Sequence, residues 1–151
     1  MDFALNDEQR EFKDYCRRFA SEVIRPVADK HDREESTPWD AIKQARKWGL
    51  NGLDYLQRTG ADPDGQLGII AAEEMHWGCA GIALAINGSG LAAAGLAASG
   101  TPEQIARWVP QCFGTDEEIK LGAYAVTEPQ AGSDVKSLRT IEGEPLLEMH
   151  A

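Results

Sequence analysis

The sequence predicts a mainly helical bundle that gives way to a β segment near residue 120. Three observations carry this fold class. An apolar repeat of period 3.6 runs from Phe12 to Val27, the same helix-start signal stands at Asn6 and at Thr101, and a short aromatic and β-branched run begins at Lys120.

Each element follows from local chemistry. Asn6 occupies a helix N-cap position, and Gln9, three residues on, can reach back as in a capping box. Behind it Phe12, Tyr15, Cys16, Phe19, Ala20, Val23, Ile24 and Val27 share one face, and Pro26 should kink or end the helix. The charged run DKHDREE from Asp29 reads as a solvated helix end or loop. Thr37 before Pro38 marks a second start, with a stop at Gly49. QRTGADPDG has the composition of a loop, and a third helix should cover about Gln66 to Trp77, where Leu67, Ile70, Ala71 and Met75 align. The Ala- and Gly-rich stretch from Gly81 to Ser99 reads as a helix of small side chains capped by Gly100. A fifth helix begins at Thr101-Pro102, with Gln104 in the capping-box position. KLGAYAV, from Lys120, then reads as a strand leaving the bundle.

Composition narrows the function classes. With 151 residues, 42% of them hydrophobic, the chain can build one ordinary core. A formal charge of −10 repels nucleic acid and anionic membrane alike, so anionic ligands would have to be held by local backbone amides. Cys16, Cys79 and Cys112 form neither a C-x-x-C pair nor a disulfide framework. MDFALNDEQREF lacks the basic and apolar regions of a secretory signal, and Asn87, Ser89 and several glycines make the least polar stretch a poor membrane span. These features lead to the expectation of a cytoplasmic, reduced setting.

Most apparent motifs have a plain explanation. Gly88, Gly90 and Ala93 spell G-x-G-x-x-A after IALAI, the shape of a dinucleotide fingerprint, but no second strand with an acidic residue follows, so a small-residue helix is the better reading. His31, His76 and His150 share no ligand spacing. Glu73 and Glu74 point about 100° apart on a helix and read as an edge facing solvent. TEPQAGSD differs in kind. Thr127 ends a strand with a hydroxyl, Pro129 fixes a turn, Gly132 permits close backbone approach, Ser133 adds a hydroxyl and an amide suited to phosphate, and Asp134 can stiffen the loop. On residue types alone it is either an anion-holding loop or an ordinary turn.

AYAVTEPQAGSD resembles the flavin-binding signature of the acyl-CoA dehydrogenase family, in which a strand with Y-x-V-T-E-P runs into A-G-S-D. The resemblance extends in order over about residues 3 to 140. FALNDEQREFKDYCRRFASEVIRPVADKHD is similar to the family's first helix, AARKWGLNGL to its second, AAEEMHWGCAGIALAI to its third, and ASGTPEQIARWVPQ to its G-x-x-x-Q-K-x-x-Y/W-x-P stretch. The resemblance implies a helical domain over residues 1–119 and the first strand of a truncated middle β-barrel domain over 120–151. It implies FAD as cofactor, with contacts at Tyr124, Ala125, Val126, Thr127, Gly132 and Ser133. It further implies an acyl-CoA substrate touched by Ser133 and lined by Asn87, an electron-transfer flavoprotein as redox partner, and an oligomer in the complete protein.

Two departures from the family pattern matter. LQRTGADPDGQLG stands where the family has P-E-x-x-G-G-x-G before the third helix. After LRT only IEGEPLLEMHA follows, and no residue matches the family's catalytic glutamate, so this chain by itself is expected to be inactive. A non-catalytic helical interaction module, or relic of the family, is the alternative.

Overall fold

The computed structural model describes residues 4–127, 129 and 131–134, which form a bundle of eight α-helices with no strand among the described residues. The first expected helix is longer and less regular than its repeat suggests. Helix α1 (Asp7–Phe19) starts in a full capping box: Asn6 Oδ1 accepts from the Gln9 amide at 2.8 Å and Gln9 Oε1 accepts from the Asn6 amide at 3.0 Å. Pro26 does not end it. The chain widens into a π turn over Ala20–Ile24 and tightens into a 3₁₀ turn over Arg25–Val27, absorbing the missing N–H and the bulk of the ring, and then resumes as α2 (Ala28–Glu34). The charged run is therefore helical, with its polar side chains largely exposed.

Helix α3 (Trp39–Lys47) begins one residue later than expected, with Pro38 as its N-cap, and the chain turns away at Gly49 with φ +66°. The loop expected from Gln57 is in part helix. Helix α4 (Leu53–Gly60) takes in QRTG, because Leu53, Leu56 and Tyr55 anchor it to the apolar clusters on either side of it. Only 61–65 remain as a connection, where Asp62 Oδ2 accepts from the Leu67 amide at 2.8 Å and so caps α5 (Gln66–Gly78). The small-residue stretch is two helices, α6 (Ala80–Asn87) and α7 (Ser89–Ser99), bent by 43° at Gly88. Helix α8 (Pro102–Trp108) carries the second capping box, with the Thr101 hydroxyl accepting from the Gln104 amide at 3.3 Å.

The main core joins α1, α3, α5 and α6. Phe19, Ile24, Ile42, Leu50, Met75 and Ile86 are fully buried in it. At roughly 1.5–3 kcal/mol for each large apolar side chain removed from water, this cluster is the chief favourable term in folding. Tyr15 donates to the Trp48 carbonyl at 2.7 Å, and Trp48 lies with ring centroids 5.1 Å from Tyr15 and 5.4 Å from Phe19, which locks the end of α3 against α1. A smaller cluster of Ala93, Val109 and Phe113 packs α7 and α8 together. Arg46 reaches it from α3 and donates from Nη2 to the Phe113 carbonyl at 2.8 Å.

Glu74 does not face solvent with Glu73. It is 3% exposed and pairs with Arg17, with Lys13 Nζ at 3.8 Å, while Glu73 is exposed. Adjacent helix positions diverge by about 100°, so one of two neighbouring carboxylates can turn inward while the other does not.

Residues 120–127, expected to open a β region, have no regular secondary structure. A strand exists through its ladder, and no described segment lies alongside to supply one. The nearest pairing between described residues is an antiparallel bridge from Gly114 to Ile119. No single helix among the described residues is long and apolar enough to cross a membrane, although the bent pair α6 and α7 is by length and composition. Because Ile82–Ile86 lie within a helix, the dinucleotide reading of the neighbouring glycines is excluded.

Candidate functional site

Residues 122–124 lie against α7. Their entry is fixed by one hydrogen bond, from the Gly122 amide to the Ser89 hydroxyl at 2.9 Å. Beyond that point Tyr124 is 57% exposed and Val126 36% exposed, while Ala125 and Thr127 are also open. The peptide groups of 124–127 find no hydrogen-bond partner among the described residues. Open peptide groups flanked by exposed apolar side chains form a surface suited to a flat ligand with hydrogen-bonding edges.

Ala131 is buried, and the Gly132 amide donates to Asp134 Oδ1 at 3.1 Å, so Asp134 stiffens the turn as its residue type suggests. Ser133 is exposed. A Cβ on Gly132 would meet only Thr127 Cγ2 at 3.8 Å, an ordinary contact. Nothing among the described residues requires glycine there, whereas a closely approaching outside group would. Amides at 124–127 without a partner among the described residues, and the exposed Ser133 hydroxyl, are donors of the kind that an anionic ring edge or a phosphate would take up.

Asn87 stands apart from this loop. It closes α6, is half-buried, and aims Nδ2 at Met75 Sδ, 3.8 Å away, a weak contact for a carboxamide. No hydrogen bond joins Asn87 to residues 124–133 among the described residues. Proximity comes through the chain itself, since Ser89, two residues on, holds Gly122, two residues before Tyr124. Asn51, buried in the turn before α4, donates to the Ile86 carbonyl and so supports the bend between α6 and α7 from behind.

Two hollows of about 290 and 300 Å³ lie elsewhere, beside the start of α1 and Arg58, and include neither Asn87 nor any of residues 124–133. The candidate site is an open face rather than a cleft. The buried thiol offers no alternative chemistry: burial, reinforced by Glu74, pushes Cys16 up to about 12, so it stays protonated and non-nucleophilic near neutrality. No group of His, Cys, Asp and Glu suited to a metal ion occurs among the described residues. His31 Nδ1 is engaged with the Ser36 hydroxyl and His76 Nδ1 with the Ala72 carbonyl, while His150 lies outside the described residues.

Sequence reasoning missed two contributors: Ser89, a single hydroxyl in an apolar run, and Gly95, which resembles any small helical residue but lies under the Tyr124 ring.

Residues 6–116 match the family described as "Acyl-CoA dehydrogenase, N-terminal domain". Among similar proteins, the probable medium-chain specific acyl-CoA dehydrogenase 2, mitochondrial, of Caenorhabditis briggsae is 33% identical over 93% of this chain and 34% of its own length. The acryloyl-CoA reductase (NADH) of Anaerotignum propionicum is 34% identical over 93% of this chain and 35% of its own. The short-chain specific acyl-CoA dehydrogenase of Clostridium acetobutylicum is 34% identical over 93% of this chain and 37% of its own. The chain thus spans about a third of the length of these relatives. With helices and loop in the order the sequence resemblance implies, and a family match over most of its residues, the chain belongs to the acyl-CoA dehydrogenase family.

Proposed function

We propose that this chain is the N-terminal portion of a FAD-dependent acyl-CoA dehydrogenase, in which residues 1–119 form the helical domain and 120–151 begin the middle domain. The observation that carries the reading is the open face at Tyr124–Thr127, whose peptide groups have no partner among the described residues, beside a Gly132–Ser133 turn stiffened by Asp134. Tyr124, Ala125, Val126, Thr127, Gly132 and Ser133 hold the cofactor in this reading, and Ser133 also touches the acyl-CoA thioester. When bound, the flavin supplies two-electron oxidation or reduction across the Cα–Cβ bond. Both directions occur in the names of the relatives, a dehydrogenase in one and a reductase in another.

The chain's own residues position and shield. The backbone of 124–127 presents donors and acceptors to a ring edge, the Ser133 amide and hydroxyl meet an anionic oxygen, and Asn87 lines the acyl path at the end of α6. None of these residues is placed to take the α-proton, so in this reading that step belongs to a base elsewhere in the complete enzyme and this chain alone is inactive. General-base help contributes roughly 100- to 10,000-fold in rate, which sets the size of the deficit. The complete enzyme is an oligomer, passes electrons to an electron-transfer flavoprotein and acts in the cytoplasm.

A second reading, a non-catalytic helical module or family relic, draws on the exposed Leu84, Leu91, Leu121 and Val126, apolar surface that a partner could cover. Titrating the chain with FAD separates the two. The enzyme reading expects a changed flavin absorbance between about 350 and 500 nm, together with shifted amide resonances at 124–127, 132 and 133. An unchanged spectrum with unmoved resonances overturns it in favour of the module.

A further inference from the structure

We propose that Ser89 and Gly95 are positioning residues for the cofactor-contacting segment, setting the height and tilt at which residues 122–126 cross α7; the proposal rests on the flavin reading above. Positions 89, 92 and 95 recur every three residues, so they stand in one row along the helix. Each meets the crossing segment. The buried Ser89 hydroxyl, 2% exposed, accepts from the Gly122 amide at 2.9 Å. A Cβ on Gly122 would stand 3.0 Å from the Ala92 Cβ and 3.0 Å from the Cys112 Cβ, so the backbone there already lies as close to α7 as it can. A Cβ on Gly95 would stand 2.8 Å from Tyr124 Cε2 and 3.2 Å from Cδ2. The tyrosine ring therefore rests directly on the helix where the side chain is missing.

These contacts have a functional direction. They hold Gly122 by one end and the Tyr124 ring by the other, while the peptide groups of Tyr124–Thr127, immediately beyond, have no partner among the described residues. Fixing both points aims those free groups outward at a set angle. Ring-edge hydrogen bonds demand this, because they weaken steeply once donor and acceptor lose alignment. The hydroxyl at 89 is a poor choice for stability alone, since a buried hydroxyl must find a partner to offset its desolvation, and here it finds the segment's own amide.

The test uses the 151-residue chain and FAD itself, with three readouts: dissociation constant by flavin fluorescence, hydrogen exchange at the Gly122 amide, and the thermal midpoint. In Ser89→Ala, Gly122 exchange should accelerate roughly fivefold with loss of its acceptor. FAD binding should weaken by roughly tenfold in both Ser89→Ala and Gly95→Ala as the segment loses its seat. Ser89→Thr keeps the hydroxyl and should restore both values. Gly95→Ala improves helix propensity and displaces only an exposed ring that can swing aside, so its midpoint should not fall. Its effect on FAD should vanish in a Tyr124→Ala background. Unaltered Gly122 exchange in Ser89→Ala, wild-type FAD affinity in both single variants, or a Gly95→Ala effect that persists without the Tyr124 ring would each overturn the proposal. A wild-type chain that fails to bind FAD refutes the flavin reading instead, and with it any cofactor role for the seat.

Discussion

The bundle of α1, α3, α5 and α6 and the outer layer of α7, α8 and residues 113–127 are built differently. The first buries a continuous cluster from Phe12 to Ile86, with Phe19, Ile24, Ile42 and Ile86 entirely out of solvent. The second rests on Ala93, Val109 and Phe113, with Leu53 and Leu56 of α4 packed against them, and Arg46 of the bundle reaches it through the Phe113 carbonyl and Asp116, while Ser89 ties Gly122 to α7 within the layer itself. Stability resides in the first layer and the candidate binding face in the second. A surface that must receive a ligand cannot satisfy its own peptide groups, so it borrows rigidity from the layer beneath.

Matched truncations would break this comparison most sharply. Phe19→Ala should cost about 3–5 kcal/mol, because an enclosed ring leaves a cavity that surrounding helices cannot fill. Phe113→Ala should lower global stability less and mainly speed hydrogen exchange in α8 and residues 113–122. Chemical denaturation with residue-resolved exchange checks both, and equal global losses would mean that the layers are one cooperative unit.

Next in size is the ion pair inside the bundle. Arg17→Ala strands the buried Glu74 carboxylate with only Lys13 nearby, and should cost about 2–3 kcal/mol, less than for a fully enclosed pair because Arg17 is itself 42% exposed. Glu74→Gln should cost less, since the two cations left behind can turn to water. A reversed order in urea titrations would show that the carboxylate is not the group that depends on the pair.

The caps come third. Asn6→Ala and Thr101→Ala each remove an acceptor from a complete capping box and should cost about 1 kcal/mol. The comparison is sharpened by where that loss is felt: across the whole unfolding transition for Asn6, and chiefly as faster exchange in α8 for Thr101.

The smallest effect near neutrality is that of pH. Burial raises the Cys16 thiol from 9.0 to about 12, so the folded chain holds its proton more tightly than the unfolded one. Its contribution is fully present below pH 9 and is lost as pH rises toward 12. Asp62 has the opposite sign. The Leu67 amide holds its carboxyl below the ordinary 3.8, so its contribution is present above that value and fades as acid protonates the folded form. Burial likewise raises the Tyr55 phenol to about 12, so melting curves from neutral to alkaline pH should decline in the wild type and less steeply in a Cys16→Ala control, where Tyr55 alone contributes.

What could be read from the sequence was local. The two capping boxes are spelled within four residues, the apolar faces of the first and third helices follow from period, and the TEPQAGSD loop stands out by residue type. Pattern reading erred where neighbours far along the chain intervene. Residues 57–60 look like loop yet finish α4, because Leu53 and Leu56 find the Val109–Phe113 cluster. Glu74 looks solvated beside Glu73, yet Arg17, 57 residues away, draws it inside.

The sequence by itself determined the helical class, the starts of α1, α5 and α8 and the identity of the loop residues, because hydrogen-bond caps and apolar periodicity act over a few residues. Only the tertiary structure decided that the small-residue stretch bends at Gly88, that Ser89 meets Gly122, and that Gly95 leaves room for the Tyr124 ring. Those facts depend on how closely two segments approach. Approach distance is set by the side chains of every layer packed between and around them, which no local pattern encodes.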